Sequence, residues 1–170
     1  MKKIILMLLA ILCLAGCSKT NGNPTGYNGT VWGSSLETVQ SLESSENFIN
    51  ERNGNLHYTD FNLSNPLSSY GLLIGDAPQV EYEFSNNKLI EIKISIKNKS
   101  ITYESANPVY KSMVAKYGDS ELQQRNNQFN DKQIMLQWAN FETDYSSIHF
   151  TISADGITDS EISAEFTPKS

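Results

Sequence analysis

The chain has 170 residues, 39% of them hydrophobic, and its 19 acidic against 13 basic side chains give a formal net charge of −6. That acidity argues against nucleic acid as a partner and against electrostatic capture of anionic lipid headgroups. Cys13 and Cys17 lie four residues apart at the N-terminal end, so no disulfide framework is available and the fold must rest on an apolar core.

Chain order begins with a basic head, Lys2-Lys3, and an apolar run from Ile4 to Leu14 that ends in Leu14-Ala15-Gly16-Cys17. The run is too short for a membrane span, and its flanks predict a secretory signal peptide. Small residues before a cysteine resemble the lipobox of bacterial lipoproteins. The resemblance implies cleavage after Gly16 and diacylglycerol on the Cys17 thiol, a thioether only this side chain can form. A single acyl chain at about 0.8 kcal/mol per buried CH₂ holds weakly, whereas two or three anchor effectively for good. Ser18, which is not Asp, is similar to the outer-membrane case in cells with two membranes; with one membrane the domain faces outward. Removing residues 1–16 takes Lys2 and Lys3 away, so the mature chain is two charges more negative than the full one and keeps Cys17 as its one cysteine.

Residues 17–30 read as the lipidated cysteine and a flexible tether, rich in Gly, Asn and Thr, and 31–170 as a single domain. Ser34-x-x-Glu37 has the form of a capping box, and Leu36, Val39 and Leu42 recur at helical spacing, predicting a short helix over 35–44. Asn53-Gly54 predicts a hairpin turn between strands at 46–52 and 55–62. Residues 66–75 read as a loop with a short strand at Leu72-Leu73-Ile74. Val80, Tyr82 and Phe84, then Ile90, Ile92, Ile94 and Ile96, alternate with polar residues. All these positions are even, so sharing one face requires an odd-length loop or a bulge, for example Asn86-Asn87-Lys88, a register that places Glu81 opposite Lys93. Asn107 as N-cap with Pro108 at the first helical position predicts a second helix, carrying Tyr110, Met113, Val114 and Tyr117 and ended by Gly118. Three more alternating runs follow: Ile134, Leu136 and Trp138; Ile148, Phe150 and Ile152; Ile162, Ala164 and Phe166. A helix-then-strands unit thus occurs twice. One-faced alternation predicts an α+β fold, antiparallel sheet covered on one side by two amphipathic helices.

Residues able to do chemistry are sparse. His57 and His149 alternate with apolar neighbours and read as solvated strand positions. There is no HExxH, His-Cys cluster, GxSxG or glycine-rich phosphate loop, so neither a catalytic residue nor a metal or other cofactor is expected. Asp155, Asp159 and Glu161 surround a turn whose spacing does not fit an EF-hand. Glu81, Glu83 and Glu91 read as the wet face of the clearest hairpin. Trp138, in register with Ile134 and Leu136, reads as core, and Trp32 as packing across the first helix's entry. Tyr58, Tyr70, Tyr103 and Tyr145 fall in or near expected loops, where exposed tyrosines would suit a protein or glycan surface.

Trp32-Gly33-Ser34-Ser35-Leu36-Glu37-Thr38-Val39 resembles the W-G-x-S-x-x-x-V entry of small bacterial envelope proteins, whose helix ending in Lys-Tyr-Gly and Trp-bearing strand are matched by Lys116-Tyr117-Gly118 and Trp138. The helix-then-strands layout is also similar to the small lipoprotein of the outer-membrane β-barrel assembly machine, and to the β-lactamase inhibitor protein with its two units. These resemblances imply a non-enzymatic module, anchored to a membrane through acyl chains on Cys17, that binds or scaffolds another envelope protein. The alternative is an exported inhibitor or small-ligand-binding module.

Overall fold

A computed structural model describes residues 22–129, 132–154 and 160–170. The expected signal peptide, Cys17, and Asp155 to Asp159 lie outside the described residues.

Among the described residues three α-helices and eight strands follow one another: α1 (Leu36–Leu42), β1 (Phe48–Arg52), β2 (Asn55–Thr59), α2 (Pro66–Ile74), β3 (Gln79–Ser85), β4 (Lys88–Lys97), α3 (Tyr103–Tyr117), β5 (Gln123–Phe129), β6 (Lys132–Glu142), β7 (Ser146–Ala154) and β8 (Glu161–Pro168). All eight strands form one antiparallel sheet in the order β1-β2-β3-β4-β8-β7-β6-β5. Two four-strand meanders, each preceded by a helix, therefore join along β4 and β8. The expected α+β class and the repeated unit are both present, within a single sheet.

Side chains alternate across that sheet. Ile92, Ile94 and Ile96 face Phe166, Ala164 and Ile162 across the β4–β8 seam, and all six are at most 2% exposed. Each such burial contributes about 1.5–3 kcal/mol for a large apolar side chain. Val39 of α1, Leu67 and Tyr70 of α2, and Ala106, Val109 and Met113 of α3 complete the same core. The β3–β4 hairpin reconciles its even-numbered apolar positions as expected: Glu81 stands opposite Lys93, and a bulge follows Glu83–Glu91. The loop is the two residues Asn86-Asn87, both at positive φ, which is the geometry of a type I′ turn. The bulge places Leu89 inside and leaves Ile90 38% exposed, so Ile90 is not on the core face as its parity suggested.

Several expectations are corrected. Residues 66–75 are not a loop with a strand but helix α2, capped by the Asn65 side chain, which accepts from the Leu67 N–H at 3.0 Å. Helix α3 starts at Tyr103, not after Asn107. Thr102 is its N-cap, in a reciprocal capping box with Ser105, and Pro108 lies inside the helix. Burial of Ile101 and Ala106 and anchoring of the Tyr103 hydroxyl on the carbonyls of Met135 and Ala154 hold this first turn despite the missing proline N–H. Helix α1 is capped by Ser35 rather than Ser34, whose buried Oγ has no partner among the described residues.

The segment from Gly22 to Thr30, expected to belong to the tether, is folded onto the domain. Pro24 bridges to Val31, Thr25 and Thr30 are buried and share a 2.7 Å hydroxyl contact, and Tyr27 is 4% exposed between Tyr82 and Phe166. Gly26, Asn28 and Gly29 have positive φ. The glycines and asparagine that read as flexibility supply left-handed corners of a tight loop instead.

Candidate functional site

With three helices on one face, the other face of the sheet is covered by no element among the described residues. Odd-numbered residues of β3, β7 and β8, and of β4 from Glu91 onward, point there. Lys93 stands at its centre, 3.0 Å from Glu165 and 3.8 Å from Glu161. Lys97 reaches the second oxygen of Glu161 at 3.7 Å. Two strands from Lys93, on β2, His57 lies 3.8 Å from Glu81 of β3, which also accepts from Asn55 at 3.0 Å. On the opposite flank His149 is bonded to Asn140 at 2.7 Å.

The electrostatics follow from this crowding. Burial alone lowers the Lys93 ammonium, but the Glu165 and Glu161 carboxylates outweigh it and raise it above the usual lysine range. Glu91 is pushed up by burial first, then by Glu165 and Glu83, against the weaker pull of Lys93. Glu83 and Glu91 are directly paired across the hairpin, a like-charge arrangement that ordinarily destabilises a sheet. One carboxylate oxygen of Glu161 is buried without a hydrogen-bond partner among the described residues.

Two shallow depressions mark this face. One, of about 420 Å³, runs over β1 to β4 and is lined by Arg52, His57, Glu81, Lys93, Lys97 and Glu161 among others. The second, of about 330 Å³, continues across the seam to Leu136, His149 and Thr151. They share Lys93 and Glu161, so the two halves of the sheet contribute to one continuous surface.

Both histidines lie on the open face as expected, and Glu81, Glu83 and Glu91 line the same side of the hairpin. Trp138 is corrected. It pairs with Thr151, whereas Ala139 pairs with the core residue Phe150, so Trp138 and Leu136 belong to the open face and the core positions of β6 are Ala139 and Phe141. Trp32 packs at the entry to α1 as expected, its indole N–H donating to Ser146 Oγ at 3.0 Å. Of the four tyrosines expected near loops, Tyr58 and Tyr70 are buried and Tyr103 is partly buried; Tyr145 is 43% exposed. Of the three acids expected around one turn, Glu161 pairs with Lys93 and Lys97, and Asp155 and Asp159 lie outside the described residues. Among the described residues no three His, Cys, Asp or Glu side chains are grouped to hold a metal ion, and no helix is long and apolar enough to cross a membrane.

A second polar region lies on the helix side and was not anticipated. Buried Asp60 accepts from the Asn62 N–H at 2.7 Å, Asn65 at 3.0 Å and Ser68 at 2.7 Å. Glu43 accepts from the Tyr82 hydroxyl and from Asn28 at 2.7 Å. Burial, with Asp60 nearby, drives the Tyr27 phenol far above its ordinary range, and burial with Glu43 does the same to Tyr82. These groups satisfy one another and tie loop 60–65, α1 and the N-terminal loop to the sheet.

No family model matches the chain, and no curated protein or solved structure is significantly similar to it.

Proposed function

We propose that this protein is a lipid-anchored extracytoplasmic module that binds another envelope protein through the open face of its sheet, without catalysis of its own. The observation that carries the reading is the position of Trp138 and Leu136: two large apolar side chains set on the helix-free face, Leu136 lining the same depression as Lys93 and Glu161, and Trp138 on the same strand. An aromatic anchor amid oriented charges is the pattern of protein recognition surfaces, where aromatic residues dominate the binding energy and charges set the register. An acyl anchor at Cys17 would concentrate the domain near partners in the same membrane.

The test is crosslinking of the tagged protein in intact cells, beside Cys17→Ala, Trp138→Ala and Lys93→Glu variants. One partner recovered at near-stoichiometric yield, weakened by either face substitution and lost with the anchor, is the expected result. A partner indifferent to both face substitutions would refute recognition through this face. The depression lined by Arg52, His57 and Lys97 favours a second reading, a small-ligand module, because its volume lies in the range of ligand sites. Ligand-induced thermal stabilisation of the purified domain, abolished by Arg52→Ala, would favour that reading over the first.

A further inference from the structure

The folded segment begins close to the expected anchor, and this fixes which end of the domain meets the membrane. Four residues separate Cys17 from Gly22, so the two lie at most about 18 Å apart even if the chain between them is fully extended. Gly22 abuts Val31 and the Trp32 carbonyl. The Trp32 N–H donates to Asn23 at 2.9 Å, and the Gly33 N–H to Leu89 at 3.0 Å. The Trp32 indole and the Thr25 carbonyl both meet Ser146 Oγ, at 3.0 and 2.8 Å. Gly22 therefore sits at the end of the sheet that carries the Asn86-Asn87 turn, the Thr143–Tyr145 turn and the C-terminal end of β8.

We infer that this end of the sheet is apposed to the lipid bilayer, with Tyr145 and Ile90 at the headgroup layer and the Lys97 end of the open face held away from it. The inference rests on the reading of Cys17 as lipidated. Tyr145 and Ile90 are 43% and 38% exposed, and tyrosine's apolar ring with a polar tip suits the boundary between headgroups and acyl chains. Lys88 and Lys169 at this end are outnumbered by Glu142, which bonds Lys169 at 2.8 Å, Asp144 and Glu37. Contact is thus set by the short tether and apolar tips rather than by net charge. β4 runs from Lys88 at this end to Lys97 at the other, about 30 Å for its ten residues. Lys97, Gln79 and Glu161 line the distal part of the larger depression, whereas Arg52, beside the Asn53-Gly54 turn, lines the part nearer the membrane. The strands stand up from the membrane and present the recognition surface outward.

The experiment uses the protein extracted from its membrane and inserted into phosphatidylethanolamine–phosphatidylglycerol vesicles. Cysteine is introduced by Tyr145→Cys, Ile90→Cys or Lys97→Cys and labelled with a fluorophore, and quenching by headgroup spin-labelled lipid is measured. Labels at 145 and 90 are expected to be quenched severalfold more strongly than the label at 97. Equal quenching at all three sites, or stronger quenching at 97, overturns the apposition. The mass of the Cys17 peptide from the same sample separates the two ideas. An unmodified Cys17 sinks the anchor and this inference together, whereas acylated Cys17 with the wrong quenching order sinks the apposition alone.

Discussion

Glu91 shows how one residue on the open face couples local charge to the stability of the sheet. It is flanked by Glu83 across the hairpin and by Glu165 on β8, and it is partly withdrawn from water, so its proton is held more tightly in the folded chain than in the unfolded one. Where a carboxyl has a raised folded pKa, the folded state binds more protons than the unfolded state between the two values. Stability then falls as pH rises through that window. Above it the full cost of an ionised Glu91 remains; below the ordinary glutamate range the cost vanishes. Glu91→Gln is therefore expected to stabilise the domain at pH 7 and to give little or no gain at pH 3.5, read from urea unfolding midpoints at the two values. A gain of equal size at both would show that the effect is not electrostatic. That Glu91 and Glu83 share the wet face of one hairpin was legible from the alternation. The approach of Glu165 was not, because β8 is distant in sequence and no local pattern specifies which strand completes a sheet.

At the scale of elements, the hairpins were more legible than the helices. Asn53-Gly54 and Asn86-Asn87 announce their turns because few residues adopt two successive left-handed conformations. Helix ends misled, since the same signature occurs twice with opposite meanings. Asn65-Pro66 starts α2, whereas Asn107-Pro108 lies a turn and a half inside α3. Tertiary contacts decide the difference. Tyr103 and Ala106 are drawn onto the core side of the sheet, and the helix extends back to reach them, overriding the preference of proline for the first turn. α2 was hidden by Ser68, Ser69 and Gly71. Gly71 is required there because an added Cβ would meet the Asp76 carbonyl and the Pro78 ring, the latter at 2.8 Å. Pro108 itself is exposed and leaves the Glu104 carbonyl without its helical partner. Pro108→Ala restores that bond and is expected to stabilise the domain by about 1–3 kcal/mol, seen as a higher thermal midpoint with unchanged far-UV circular dichroism. Destabilisation would mean that the proline's restriction of the unfolded chain outweighs the missing bond.

For the whole molecule, the question is whether two repeated units behave as one body. Eight strands share a sheet, and the seam pairs β4 with β8 over six consecutive registers. The N-terminal loop strengthens this join in a way the composition concealed. Tyr27 places its ring 6.2 Å from Tyr82 of the first half and 6.1 Å from Phe166 of the second, so a segment that read as tether closes the core over both. The open face depends on the same unity, because Lys93 of one half is held by Glu161 and Glu165 of the other; its parts were visible as polar positions in alternating strands, but their convergence required the sheet order. A single core spanning both halves should unfold as one cooperative unit. Removing the Tyr27 ring leaves a cavity between the halves, and Tyr27→Ala is expected to cost about 3–5 kcal/mol. The loss should appear equally in both units. Urea unfolding followed by Trp138 fluorescence in a Trp32→Phe background, by Trp32 fluorescence in a Trp138→Phe background, and by far-UV circular dichroism should give transitions that coincide within each background and shift together when Tyr27→Ala is added. If Trp138 keeps its midpoint while Trp32 moves, the second meander is stable without the first, the seam is a contact between two independent domains, and the charge cluster around Lys93 is an interface that can open rather than a fixed surface.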